Sequence, residues 1–238
     1  MSYDALVIAA HPDDAETQMG GTLAKLTDQG QRILLVDLTD GEPTEFAEPG
    51  QRALQAQEAA RILGVERISL GEQDRLLSDT MHLRLQVARL IREYRPRWVY
   101  GTGEACVHPD HAASVGLTRA AVFLARLGQW ESVPEGEMLA QQEPWAVERL
   151  FFPHCKMEPL WGDFAFAVDV SRVYERKRQA LAVYQSIFQA KGDRLLSLYE
   201  AEDQYYGRLL GVAYAEIYRS ATPLLVEDPT VFRPAIHS

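Results

Sequence analysis

Residues 5–38 read ALVIAAHPDDAETQMGGTLAKLTDQGQRILLVDL. The stretch opens on one continuous apolar run, 5–10, and closes on a second, 33–38, apolar at every position except Asp37. Near-continuous runs of that length are what strands covered on both faces require. Between them Met19, Leu23 and Leu26 recur at helical spacing, and Gly30 stops the helix. Strand, helix, strand in so short a span predicts two parallel strands joined by a right-handed crossover. Where the first run ends, His11, Asp13 and Asp14 arrive together, and residues 9–21 hold no Lys or Arg to neutralise them. Adjacent carboxylates at the end of a buried strand repel each other and resist desolvation unless something cationic sits with them.

The same alternation continues. An Ala-rich helix from about Gln51 ends at Gly64, and RISL (67–70) follows as a short strand. Leu83, Val87, Leu90, Ile91 and Tyr94 mark an amphipathic helix that Pro96 terminates. RWVYG (97–101) is the next strand, and a loop carries HPDH (108–111) into a helix from about 112 to 127. RLFF (149–152) and FAFAVDV (164–170) are later strands, and Ala180, Leu181, Tyr184, Ile187 and Phe188 mark one long late helix. The stretch 128–146 reads as a surface excursion, and the C-terminal third as less regular. There is no internal repeat, low-complexity tract or linker. The expectation is one α/β domain over 1–238, Rossmann-like, with a mainly parallel sheet and helices on both faces.

Charge excludes one class of partner. With 24 Lys plus Arg against 34 Asp plus Glu, the formal charge of −10 repels phosphate backbones, so nucleic acid is not expected. The one basic cluster, Arg172 to Arg178, reads as the solvated face of a helix. Two cysteines without CxxC spacing, Cys106 and Cys155, do not make a disulfide framework, and a reducing cytoplasm fits best. No signal peptide is recognisable, and every apolar run is far short of the ~20 residues of a membrane span. Cys106 is assigned a structural role, and His82, His154 and His237 surface or packing roles.

In open parallel sheets ligands bind beyond the carboxyl ends of the strands. HPDD and HPDH each follow a strand, so His11, Asp13, Asp14, His108, Asp110 and His111 belong on one edge of the sheet. Two histidines and a carboxylate from that set would hold zinc with a position left for water, and ferrous iron suits the same donors. The plainer alternative is a turn, in which proline stiffens the loop and Asp caps the following helix. Two such motifs at two strand ends weigh against it. GxGxxG and Walker A spacings are absent, which disfavours dinucleotide binding, and no GxSxG elbow is present.

AHPDDAE (10–16), GGTLAKL (20–26), DLTDGE (37–42), EAARILG (58–64), RPRWVY (95–100) and HPDH (108–111) together resemble the PIG-L-like (LmbE-like) deacetylase family. The likeness continues through RLFF, VDVS (168–171) and YYGRLLGVAYAE (205–216) to PLL (223–225), most similar to the bacterial branch that includes bacillithiol-pathway N-acetylglucosaminyl-malate deacetylases. The resemblance implies the LmbE-like fold and zinc-dependent removal of N-acetyl groups from glucosamine derivatives. It makes His11, Asp14 and His111 the metal ligands, Asp13 the general base and His108 the charged group that stabilises the oxyanion. Asp110 would hold His108 by a hydrogen bond, and Arg52 would hold the sugar. It also implies a homo-oligomer, a trimer or hexamer. Gln55, Val107 and Ala146 depart from relatives that carry Glu, Arg and Arg or His there. Two further readings stay open: the same chemistry on another N-acyl compound such as an antibiotic precursor, and a non-catalytic sugar-binding module.

Overall fold

The computed structural model describes residues 2–43, 48–104, 106–156, 164–190, 194–225 and 228. His237 lies outside them. The elements are β1 (Ala5–Ala9), α1 (Asp14–Asp28), β2 (Ile33–Thr39), α2 (Gln51–Leu63), β3 (Glu66–Glu72), α3 (Met81–Tyr94), β4 (Trp98–Gly101), α4 (Pro109–Ala125), α5 (Glu137–Ala140) and β5 (Arg149–Pro153). They continue as β6 (Phe166–Asp169), α6 (Tyr174–Ala182), α7 (Gln185–Ala190), α8 (Leu195–Leu209) and β7 (Ala215–Ser220). One sheet of seven strands runs in the order β3-β2-β1-β4-β5-β7-β6. The first five are parallel, and β7 is antiparallel to both of its neighbours.

The two-sided burial of β1 explains its unbroken apolar run. Leu6, Ile8 and Ala10 face one layer, with Val87 and Ile91 of α3 and Leu117 of α4. Ala5, Val7 and Ala9 face the other, with Leu23 of α1 and Leu63 of α2. Each fully buried Leu or Ile contributes about 1.5–3 kcal/mol, so the central strands are where most of the hydrophobic stabilisation is concentrated. The helix ends follow local chemistry. Gly64, at φ 77°, closes α2 in the left-handed conformation that suits glycine. Thr80 caps α3 by accepting the Leu83 N–H. No helix among the described residues is long and apolar enough to cross a membrane.

Four expectations need correction or refinement. First, α4 begins at Pro109, not near Ala112, because proline at the first helical position lacks only an N–H that would be unpaired anyway. Second, the late helix is two helices, α6 and α7, although all five of its marker residues are buried. A tightened turn between them, with Tyr184 N–H on Leu181 C=O, carries the Tyr184 hydroxyl to within 3.0 Å of Glu16. Third, the stretch 128–146 is mostly exposed, as a surface excursion should be, but it is anchored to the domain. Trp130 and Leu139 join the core, and Arg92 donates to the carbonyls of Ala125, Leu127, Leu139 and Gln142.

Fourth, the basic cluster is not wholly a solvated face, and the described residues of the C-terminal third form three helices and two strands. Lys177 is fully buried, with Nζ 2.7 Å from both Asp203 of α8 and Glu216 of β7. Lys156 also pairs with Asp203, and the Tyr174 hydroxyl donates to it. Glu216 further accepts the N–H groups of Gly21 and Thr22, just past Met19, where α1 kinks at φ −145°. A buried acid on β7 thus supplies acceptors to amides beside a distorted turn of α1. An ion in that position breaks the apolar pattern by which a strand is recognised.

Candidate active site

Chain connections leave β1 towards β2 on one side and β4 towards β5 on the other. The order reverses between β1 and β4, and there the loops after the two strands part to form a crevice. The N-termini of α1 and α4 open into it, which brings HPDD and HPDH together. The approach is close: a Cβ on Gly103 (φ 84°) would sit 2.6 Å from the Cβ of His111. Only glycine lets the β4 loop pass there.

His11 Nδ1 and His111 Nε2 stand 3.2 Å apart. The Asp14 carboxylate reaches both, with Oδ2 3.5 Å from His11 Nδ1 and Oδ1 3.1 Å from His111 Nε2. Donors bound at about 2.0–2.1 Å around a tetrahedral ion stand about 3.3–3.4 Å apart, and one donor from each of these residues lies within 4.8 Å of the other two, so small adjustments suit the trio to a metal ion. Burial alone would depress the pKa of His11, but Asp14, Asp74 and Asp110 raise it to about 11. Burial likewise opposes charge on His111, and Asp14 and Cys106 raise it to about 10. Burial would raise Asp14, but His111 and His11 hold it well below the usual carboxylate range. The site demands positive charge, which protons supply when no metal does.

The outer face of His11 decides its orientation. Its Nε2 is 3.0 Å from Asp110 and 3.1 Å from Asp74, so the ring donates there and keeps the Nδ1 lone pair for the trio. His11, His108 and Asp110 also converge within 4.8 Å, but that alternative would need the Nε2 already engaged by two carboxylates. The Asp110 carboxylate additionally accepts the Arg75 N–H at 2.8 Å. It therefore holds His11, not His108, as the sequence likeness implied. Asp74 was not singled out from the sequence; its signal was its place just past β3, on the same edge of the sheet. His108 caps α4, its Nδ1 accepting the Asp110 backbone N–H at 3.2 Å. Burial, then His11 and His111, lower its pKa, so it is a neutral ring with its proton on Nε2 rather than a charged one.

Asp13 stands at the N-cap of α1 yet makes no capping bond, against the simple turn reading. Its φ of 128° is costly for a residue with a Cβ, and such strain is typical of sites under functional constraint. Its carboxylate lies 3.2 Å from Arg52 Nη2. Arg52 is itself buried over the Tyr184 ring, and its Nε and Nη1 have no hydrogen-bond partner. Glu16 is set aside from the metal trio: Arg67 clamps it at 2.5 Å, together with Asp37 at 2.6 Å. His111 Nδ1 rests 2.9 Å from Cys106 Sγ. Of the remaining histidines, His154 packs between Phe164 and Tyr206, and His82 lines a separate surface cleft between α3 and α5.

The family model described as PIG-L, GlcNAc-PI de-N-acetylase, matches residues 6–122. Diacetylchitobiose deacetylase of Thermococcus kodakarensis is 30% identical over 227 residues, covering 89% of this chain and 80% of that protein. The chain belongs to the PIG-L deacetylase family. Among solved structures, a conserved protein from Thermus thermophilus superposes with a TM-score of 0.83 at 38% identity, covering 94% of this chain and 97% of that one. The 4-carboxy-2-hydroxymuconate hydratase of Pseudomonas putida superposes at 0.78, covering 96% and 99%, but at 20% identity, which shows the PIG-L fold alone. The sheet by itself does not select the reaction; the residues in the crevice do. As a PIG-L member the chain is an enzyme that hydrolyses amide bonds.

Proposed function

We propose that the chain is a zinc-dependent hydrolase that removes the N-acetyl group from an N-acetylglucosamine derivative, of the bacillithiol-precursor type or a similar glycoconjugate. The observation that supports it most is the trio His11 Nδ1, His111 Nε2 and Asp14 at ligand spacing, with Asp13 beside it but outside it. A zinc ion held by these three supplies Lewis acidity, polarising an amide carbonyl and acidifying water toward pKa ~7.

The chain's own groups divide the proton work. Asp13, free of any capping bond, takes the proton of the attacking water. His108 donates through Nε2 to the oxygen that gains charge; a neutral imidazole can do this, and its Nδ1 is occupied by the Asp110 amide. Asp110 and Asp74 keep His11 in the ligating tautomer. Arg52 anchors Asp13 and offers two unpartnered nitrogens, donors suited to sugar hydroxyls. The amide C–N bond breaks as the proton held by Asp13 is passed on, releasing acetate and a free amine. By likeness to the family, the working form is a cytoplasmic homo-oligomer.

The test is acetate release from N-acetylglucosamine, N,N'-diacetylchitobiose and N-acetylglucosaminyl-malate by zinc-loaded protein. Turnover of one of them, lost on chelation and restored by zinc, is the expected result. Acetate release from none of them, with zinc bound at one per chain, would overturn the sugar reading and favour another N-acyl substrate.

A further inference from the structure

We propose that Cys106 Sγ, Cys155 Sγ and His111 Nδ1 form a second site, for a thiophilic divalent cation of the zinc and cadmium class. The topology builds it. Cys106 lies on the loop after β4, His111 in the first turn of α4, and Cys155 two residues beyond β5, the next strand along the sheet. Cys106 Sγ is 2.9 Å and Cys155 Sγ 3.9 Å from His111 Nδ1, and one donor from each residue falls within 4.8 Å of the others.

Around a tetrahedral ion with Zn–S about 2.3 Å and Zn–N about 2.0 Å, sulfur and nitrogen stand about 3.6 Å apart and the two sulfurs about 3.8 Å. Closing the trio on an ion therefore needs shifts of under about 1 Å, within the reach of small χ1 rotations. Cys155 is 5% exposed and Cys106 half-buried, so the ion would be largely shielded, with one position left for water. Two thiolates cancel a divalent charge, which removes the main cost of placing it there.

The pattern is otherwise unexplained. A ligating histidine ordinarily rests its second ring nitrogen on a carboxylate, a carbonyl or water. His11 does so, whereas His111 faces one sulfur with a second behind it. Soft donors select soft ions, so this site differs in preference from the nitrogen and oxygen trio on the other side of the same ring. Binding is a plain exchange without redox. The cation forms two bonds to sulfur and one to Nδ1, and two thiol protons and the Nδ1 proton leave to solvent. The ring then bridges the two sites, so occupancy of either alters affinity at the other by the same factor.

The experiment is a cadmium titration of reduced, chelator-stripped full-length protein. Ultraviolet thiolate-to-cadmium absorption is followed, with bound metal measured after gel filtration. Two equivalents per chain are expected, one of them bringing the thiolate band. Cys155→Ser and Cys106→Ser should each lose one equivalent and most of the band. The equivalent retained by His11, Asp14 and His111 shows that each variant is folded. A single equivalent bound with no thiolate band, or a band unchanged in both variants, overturns the proposal. A single equivalent that does bring the band leaves this site standing and removes the other, which separates this proposal from the deacetylase reading.

Discussion

Asp13→Asn separates chemistry from metal binding, because Asp13 and Asp14 are neighbours with different surroundings. Asp14 faces the imidazoles of His11 and His111, whereas the Asp13 carboxylate lies on Arg52. Replacing Asp13 removes a proton acceptor and no ligand. The expected loss is about 10²–10⁴-fold in kcat, which at about 1.36 kcal/mol per decade is about 2.7–5.5 kcal/mol of barrier. Asparagine tolerates positive φ nearly as well as aspartate, so the backbone at 128° should survive. The side effect falls on Arg52, buried and left with a neutral partner. Asn can still accept its hydrogen bond, so that loss is about 1–3 kcal/mol, or a Tm lower by about 2–12 °C for a chain of this size. The assay pairs acetate release, well below the melting transition, with zinc content by elemental analysis. A variant that keeps zinc and full turnover refutes the base assignment. If Asp13→Asn loses its metal and Asp14→Asn keeps it, the two roles are reversed.

Asp110→Asn should weaken metal binding about 10–100-fold by releasing His11 from its ligating tautomer; a competition titration against a chelating dye checks this, and unchanged affinity removes Asp110 from the support of His11. Arg52→Gln should lower kcat/KM on a confirmed substrate while leaving zinc content at one per chain; unchanged kinetics would reduce Arg52 to a packing role. Lys177→Met leaves Asp203 with Lys156 as its remaining counter-ion and Glu216 with neutral donors alone, and should destabilise the fold by about 3–5 kcal/mol in urea denaturation. In the metal-free protein His11 and His111 are raised to about 11 and about 10, so both hold protons at neutral pH. Metal uptake then releases about two protons, and apparent affinity rises with pH up to about 10. Stability of the metal-free fold runs the other way. Raised pKa values contribute fully below the unfolded value of about 6.5 and are lost as pH climbs through about 10–11, so its Tm should fall across that range.

Sequence alone carried the architecture and the place of the site. Near-continuous apolar runs at 5–10 and 33–38, broken only by Asp37, argue against a half-solvated sheet, and their spacing leaves room for a helical crossover. That made the chain parallel α/β and sent HPDD and HPDH to one edge, where the structure places them around a single crevice. The PIG-L membership was legible in the same motifs. Lys177, Asp203 and Glu216 were not legible, because a buried ion reads as surface until its counter-ions, 26 and 39 residues further on, are brought beside it. Nor was the tautomer of His11, which Asp74 and Asp110 set from two other strand ends. The family resemblance assigned Asp13 and Asp14 different roles, but the physical reason lies in the tertiary structure: one turns to Arg52 and the other to two imidazoles. Periodicity along a chain records which side faces the core. Charge pairing, protonation and ligand geometry depend on distances of 3 to 4 Å between segments far apart in sequence, and only the folded sheet sets those.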